Sequence, residues 1–566
     1  MKRVASSLLL LTACALASSA CGGNGTGSSP RSVHANVAAG PPYKLVVAIV
    51  VDQLSAWEIA ERLPLLPKDG GFSRLAKEGT YYPDVEYQHL ATDTAPGHAA
   101  LFTGLPAGKS GVFSNEVVLP SGVLGSVYRD ENTVVVGSPS KDKSSSARRL
   151  LAPTVADLFR ERYPSAKIVS LSLKDRGAIP GGGKSPNVSL WFEPKTARMV
   201  TSTAFAKQLP SWLEGKNEVD REVYARPWTL ANEEWVKTHA LTKDGAPGEG
   251  NMADLGNVFP HPVTKGEFFG QAFRTTPYAD EYLLSLARDA INLEKLGEGP
   301  SFLSISLSSH DYIGHVFGPD SWEAWDELYR LDAELGKFLA FLDTRFGPDH
   351  YAVALSADHG VTSLPELRVS AGNEAPCDPR ARCRKRLVGS PTRLYPTELK
   401  NSLDALLRAE WGVSEPLVLG VSEPYIVLTQ RGRALSFEPE RAPSMARALS
   451  QWKTAHKNEI ALLPVKEGLR LCAAPEGSEK RSADAVALCN TLDANGGDFF
   501  LRTAQGAIIE TGYVPGMGTN HGTDAEDDRL VPVFVRGPKT WEAGKTIGNV
   551  VPISIFSRAL RDALGI

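Results

Sequence analysis

The run Lys44–Val51 (K-L-V-V-A-I-V-V) constrains this chain most, because beyond Lys44 it offers no polar face. A strand so rich in β-branched residues is buried on both sides, which is the habit of a parallel sheet covered by helices. Four further apolar runs have the same character: Ala166–Leu173, Phe302–Leu307, Tyr351–Ala357 and Leu530–Val535. Helical segments alternate with them. A short one falls near Ser55–Leu63. A long one covers Ser321–Phe346, where Trp325, Leu328, Leu331, Leu335, Phe338 and Leu342 recur at helical spacing. Asp320 and Glu323 have the spacing of a capping box at its start. The alternation predicts an α/β fold with a mainly parallel central sheet flanked by helices. Two stretches interrupt it. Residues 181–275 are rich in Gly, Pro and Trp, and residues 365–512 carry an amphipathic helix near Thr397–Trp411. Both are expected to be insertions that build a cap or subdomain over the carboxyl edge of the sheet.

The first residues read as a targeting segment. Lys2 and Arg3 precede an apolar stretch, Val4–Ala17, and the small residues Ser18-Ser19-Ala20. Leu11-Thr12-Ala13-Cys14 and Ser18-Ser19-Ala20-Cys21 both resemble a lipid-attachment box. This divides the chain into a signal segment (1–21), a flexible tether (22–42) and a catalytic domain (43–566). No later run is long enough to span a bilayer. The expectation is an exported protein, periplasmic and lipid-anchored, or secreted. In such a compartment Cys377, Cys383, Cys472 and Cys489 favour local disulfides, the simplest pairing being Cys377–Cys383 and Cys472–Cys489. The net charge of −4 over 566 residues leaves no basic stripe for a nucleic-acid backbone. Small substrates are expected instead.

The chemistry concentrates at strand exits. In Ser306–Phe317 (S-L-S-S-H-D-Y-I-G-H-V-F), Asp311 and His315 stand four residues apart. On a helical turn they share a face and can close on one metal ion. Asp358-His359-Gly360 forms a second pair after another apolar strand, and Asp52 ends the first. Ligands bind at such strand ends in open parallel sheets. Taken alone, several residues keep two readings. Asp52 is a helix cap or a ligand. Thr94, in A-T-D-T-A-P-G-H, is a capping threonine or a nucleophile at a helix N-terminus, where free N–H groups favour an incoming phosphate. His521 is a loop histidine or a ligand, and Lys174-Asp175-Arg176 is a solvated cluster or an anion site.

Together these segments resemble the alkaline phosphatase superfamily, and within it the periplasmic, phosphate-irrepressible enzymes with a threonine nucleophile. The resemblance runs from Val46 to Gly537 through V-V-D-Q (50–53), T-D-T-A-P-G-H-A (92–99), S-N (114–115) and S-L-K-D-R-G-A-I-P (172–180). It continues through H-D-Y-I-G-H-V-F-G-P (310–319), A-D-H-G (357–360) and G-T-N-H-G-T (518–523). It implies two zinc ions. Asp311, His315 and His521 would hold one. Asp52, Asp358 and His359 would hold the other, with the Thr94 hydroxyl completing it. A carboxylate–imidazole set without thiolates suits zinc, and manganese or iron remain compatible.

The resemblance also implies an alkaline phosphatase of broad specificity, acting on small phosphate monoesters through a phosphothreonine at Thr94. Asn115, Lys174 and Arg176 would meet the phosphate oxygens, and the two cations would mark monoesters over diesters. His98 is expected to be structural behind the nucleophile, and His310 to face outward. Cys377-Asp378-Pro379-Arg380 partly resembles a sulfatase signature, but with Ala381 in place it reads as a decoy. The competing readings are a phosphodiesterase or nucleotide pyrophosphatase of the same superfamily, and a non-catalytic surface lipoprotein.

Overall fold

Strand β1 (Leu45–Val51) is buried at every residue and lies at the centre of a twelve-stranded sheet. Burial of each such aliphatic side chain contributes about 1.5–3 kcal/mol. The computed structural model describes residues 40–368, 387–457, 459–473, 481–510, 513–537 and 541–566. The expected signal segment, nearly all of the tether, and Cys377 and Cys383 with the motif around them lie outside the described residues. Pro41–Ile566 forms one unit.

Further strands of this sheet include β2 (Thr80–Glu86), β3 (Lys167–Ser172), β4 (Val188–Glu193), β5 (Arg198–Ser202), β6 (Ser301–Leu307), β7 (Tyr351–Ser356) and β12 (Leu530–Arg536). Strands β8 to β11 belong to a separate small sheet. The main order is β2-β12-β7-β1-β6-β3-β4-β5, continued beyond β5 by the eight-residue strand Arg129–Val136 and ended at both edges by short strands. The five strands from β7 to β4 pair in parallel. The run ending at Val535 differs in direction, since β12 is antiparallel to both β7 and β2. Register places Val51 opposite Leu307, Val50 opposite Ser356 and Ser306 opposite Ser172. Strands β7, β1, β6 and β3 therefore end side by side.

Helices α1 (Ala56–Arg62), α2 (Thr94–Thr103), α3 (Asp175–Gly182), α4 (Ser309–Phe317) and α5 (Trp322–Phe346) flank this edge. The start of α5 corrects the expected capping box. Its N-cap is Ser321, whose hydroxyl accepts from Ala324 N at 3.1 Å. Asp320 instead accepts from the Ser363 hydroxyl at 2.6 Å, and Glu323 pairs with His261. The shorter serine reaches the free amide while tertiary partners take the two carboxylates.

The two interrupting stretches differ. The first opens inside α3 and supplies β4 and β5 to the main sheet, and only after Ser202 does the chain turn to short helices and loops. The second carries α6 (Pro396–Trp411) and a four-stranded sheet of β8 (Val418–Ser422), β9 (Tyr425–Leu428), β10 (Ile460–Pro464) and β11 (Phe499–Thr503). That sheet has order β8-β9-β11-β10 and a hydrophobic core of its own, including Leu403, Leu407, Trp452 and Phe499. Cys472 and Cys489 are disulfide-bonded there.

Candidate active site

Three adjacent strand ends deliver three aspartates. Asp52 follows β1 directly, and its N–H donates to Leu307 O at 2.9 Å. Asp311 lies in the first turn of α4 after β6, and Asp358 follows β7. All three are fully buried. Helix α4 does what its spacing predicts, placing His315 Nε2 3.2 Å from Asp311 Oδ1. His521 arrives from a distant loop, with Nε2 3.5 Å from the same oxygen. His359 Nε2 lies 3.5 Å from Asp52 Oδ1 and 3.6 Å from Asp358 Oδ2.

The described residues thus hold two groups able to bind a metal ion, Asp311/His315/His521 and Asp52/Asp358/His359. The rings of His359 and His521, one from each group, stack at 3.6 Å, so the groups adjoin.

The imidazole tautomers fit this use. Nδ1 of His315 lies 3.0 Å from Thr519 O, Nδ1 of His521 2.9 Å from Thr92 O, and Nδ1 of His359 2.9 Å from Gly360 O. A carbonyl oxygen only accepts, so each Nδ1 carries the hydrogen and each Nε2 is left as the ligand atom. Asp52 Oδ1 and His359 Nε2 are buried without a hydrogen bond, a costly state that a bound cation would relieve. Burial holds His359 down to about 3, which keeps it neutral. Burial also disfavours charge on His521, but the hydrogen bond to Asp311 and the charges of Asp93, Asp311 and Asp528 together outweigh it and raise this group to about 9. Metal binding here therefore displaces a proton.

Thr94 opens α2, 1 % exposed, with Asp93 as its N-cap. Gly97 lets this helix approach closely, because a Cβ there would lie 2.0 Å from Asp358 O. Lys174 Nζ lies 3.4 Å from Thr94 Oγ1, 2.8 Å from Asp52 Oδ2 and 2.5 Å from Asp311 Oδ2. Burial opposes its charge, but Asp311 and Asp52 outweigh it and push the ammonium well above the usual lysine range. Asn115 accepts from Ala95 N at 2.8 Å and donates to Asp93 Oδ1. Thr94, Asn115, Lys174, Arg176, His315 and His521 all line one cavity of about 400 Å³.

His98 lies behind Thr94. Its Nδ1 is 2.9 Å from both Thr94 O and Asp358 Oδ2, and its Nε2 is 2.8 Å from Ser306 Oγ. His310 does not face outward and is only 2 % exposed. Its ring is clamped between Glu327 Oε2 at 2.6 Å and Glu58 Oε1 at 3.3 Å. Burial opposes its charge, but those carboxylates prevail and raise it to about 10, so the interior position is that of a paired imidazolium.

Three residues of the site had no reading from sequence. Gln53 donates to both aspartates flanking it in space. Tyr513 packs its ring 5.2 Å from that of His315. Glu423 comes from the β8–β9 turn of the small subdomain and accepts from Asn520 Nδ2 at 3.0 Å. Burial and the Asp93 charge push its carboxyl well above the usual range. Of these only Gln53 had a signal, its place directly after Asp52.

A fold of this kind, with buried Asp/His groups at parallel strand ends, has known counterparts. Residues 46–387 match the type I phosphodiesterase / nucleotide pyrophosphatase family, and the chain belongs to that family, within the alkaline phosphatase superfamily. Its relatives include the alkaline phosphatase PhoV of Synechococcus elongatus, 34% identical over 332 residues that cover 57% of this chain and 60% of that protein. The alkaline phosphatase PafA of Elizabethkingia meningoseptica is 34% identical over 334 residues, 56% of this chain and 60% of that protein. The matched segment spans about 60% of the length of these relatives. The crystal structure of wild-type alkaline phosphatase PafA superposes with a TM-score of 0.79 at 25% identity, covering 93% of this chain and 97% of that chain. No helix among the described residues is long and apolar enough to cross a membrane.

Proposed function

We propose that the protein hydrolyses phosphate monoesters, with Thr94 as nucleophile. One observation carries the reading: Thr94 Oγ1 stands at a helix N-terminus, 3.4 Å from Lys174 Nζ, in a cavity shared with His315, His521 and Arg176. Two zinc ions, held by Asp311/His315/His521 and by Asp52/Asp358/His359 with the Thr94 hydroxyl, would supply Lewis-acid charge that favours an alkoxide and a leaving oxygen. Thr94 Oγ attacks phosphorus, the alcohol leaves, and water later cleaves the phosphothreonine to release phosphate and restore the hydroxyl. The α2 amides and Asn115 orient the phosphoryl group. Lys174 and Arg176 offset the charge on its equatorial oxygens, which in a monoester includes one more anionic oxygen than in a diester.

Asp52, Asp311, Asp358 and His359 are fully buried and His315 and His521 nearly so, which makes their charge felt in a low dielectric. The chain would act outside the cytoplasm, exported through residues 1–21 and either tethered by a lipid on Cys14 or Cys21 or secreted. Its substrates would be small phosphate esters, with no nucleic acid among its partners.

A phosphodiesterase is the second reading, favoured by the family match over residues 46–387. Rates on p-nitrophenyl phosphate and bis-p-nitrophenyl phosphate, measured at alkaline pH with zinc-loaded protein, separate the two. The monoester should dominate, and Thr94→Ala should lower its kcat by roughly 10⁴-fold or more while zinc stays bound. A diester preference would keep the nucleophile and overturn the role given to the two cations.

A further inference from the structure

Gln53 touches both ligand groups at once. It follows Asp52, is fully buried, and has φ +72°, a left-handed conformation that costs a residue with a Cβ. Its backbone N–H donates to Asp358 Oδ1 at 3.1 Å. Its side-chain Nε2 donates to Asp311 Oδ1 at 3.0 Å. That Asp311 oxygen is the one facing His315 and His521.

The side chain is not there to satisfy itself. Gln53 Oε1 is buried with no hydrogen-bond partner among the described residues. An apolar side chain of the same length would fill the space without leaving that oxygen unpaired. Room for the amide is made by Gly314, between Asp311 and His315 on α4, where a Cβ would lie 1.9 Å from Gln53 Oε1. A glycine inside a helix weakens it, so two local costs, at Gln53 and at Gly314, converge on one amide group.

We propose that Gln53 is a positioning residue that ties the two metal groups together. It turns the Asp311 carboxylate toward its two imidazoles and fixes Asp358 through the same residue's backbone. This inference rests on the two-metal reading above. A carboxylate oxygen has two lone-pair directions. With one held by Nε2 of Gln53, the other is aimed at the ion, and the rotamer is set before the ion arrives. The backbone half of the tie survives any substitution at position 53 other than proline, so the side-chain half can be tested alone.

The test uses two variants of the full chain. Gln53→Asn tolerates the left-handed backbone but is one methylene too short to reach Asp311. Gln53→Met keeps length and volume and removes the donor. Zinc is titrated against a competing chelator in wild type and variants, with His315→Ala used to assign the step that belongs to the Asp311 group. Cobalt(II) is substituted in parallel and its visible spectrum recorded.

Both variants should weaken the Asp311 step by about 10–100-fold and alter its cobalt spectrum. The Asp52 step should stay at wild-type affinity, which also reports that the variants are folded. A Gln53→Met protein with wild-type affinity and spectrum at the Asp311 group would overturn the inference and leave a packing role. Loss of both steps equally would overturn it too. A wild-type protein that binds no zinc at either group would overturn the metal reading itself, and with it this inference.

Discussion

The edge of the main sheet and the small subdomain contribute to the same cavity in different ways. Strand ends β7, β1, β6 and β3 lead into Asp358, Asp52, Asp311 and Lys174, chemistry-bearing groups within a few residues of a buried strand. The subdomain between residues 387 and 510 has its own hydrophobic core and lends the cavity Val421, Ser422 and Glu423. The first region holds groups in place by the pleat of a sheet packed on both faces. The second borders the opening and touches the loop that carries His521, through Glu423, which accepts from Asn520. Reactivity therefore resides in the sheet edge, and the subdomain shapes access to it. The two meet at residues 88–90, just before Thr94, where Asn490 Nδ2 donates to Gln88 O at 3.0 Å and Leu90 N donates to Thr491 Oγ1 at 2.7 Å, and again at Ser114, whose hydroxyl lies 2.9 Å from Ser422 Oγ.

The comparison breaks most readily at the sheet edge. Lys174→Ala and Arg176→Ala should each lower kcat/KM for a small monoester by about 10–100-fold, the worth of a charge-assisted hydrogen bond. Rates on a matched diester should fall far less. Equal losses on both substrates would show that the cations hold the site together instead of reading the phosphate.

Removing the Cys472–Cys489 disulfide probes the other region. The bridge closes a 17-residue separation, and its loss in Cys472→Ser/Cys489→Ser should destabilise the subdomain by about 3 kcal/mol on the chain-entropy account. Thermal melting reads that loss, while kcat/KM on a small monoester should hold. A parallel collapse of activity would mean that the subdomain sets the site's geometry as well as its entrance.

A pH-dependent effect tests the junction. His89 is fully buried, and burial, aided by the Arg529 charge, holds it down to about 3. The unfolded chain takes up this proton near pH 6.5, but the folded chain only near pH 3. Across that window the unfolded state binds more protons, so stability is complete above pH 6.5 and drains as pH falls. Urea unfolding between pH 4 and 7 should show a slope that His89→Gln reduces by one proton. An unchanged slope would place the acid sensitivity elsewhere.

Legibility followed distance along the chain. Asp311 and His315 could be paired from sequence because one helical turn spans them, and the helix is found at Ser309–Phe317. His521 could be attached to them only through the resemblance, since 204 residues separate His315 from the neighbouring Thr519 carbonyl that orients it. Where the local reading failed, a tertiary partner had intervened. Asp320 lost the cap of α5 because Ser363 engages it, and His310 lies inside because Glu58 and Glu327 clamp it. Glu423 gave no sign of its place in the cavity, because nothing in a β-turn of an inserted segment says what it will face.

The sequence by itself determined the buried strands of the core, since runs such as Leu45–Val51 admit no solvent on either face, but not their direction, since the like run Leu530–Val535 is antiparallel. It also determined which groups leave that core at its carboxyl edge, because a charged residue directly after a buried strand must emerge there. Only the tertiary structure decided which groups became neighbours and in what orientation. Carbonyl oxygens of Thr519, Thr92 and Gly360 fix three imidazole tautomers, and the amide of Gln53 fixes one carboxylate. These are contacts between atoms a few ångströms apart in space and often hundreds of residues apart in the chain. No periodicity encodes them, because hydrogen bonds of this kind depend on backbone placement that is set only once the sheet has packed.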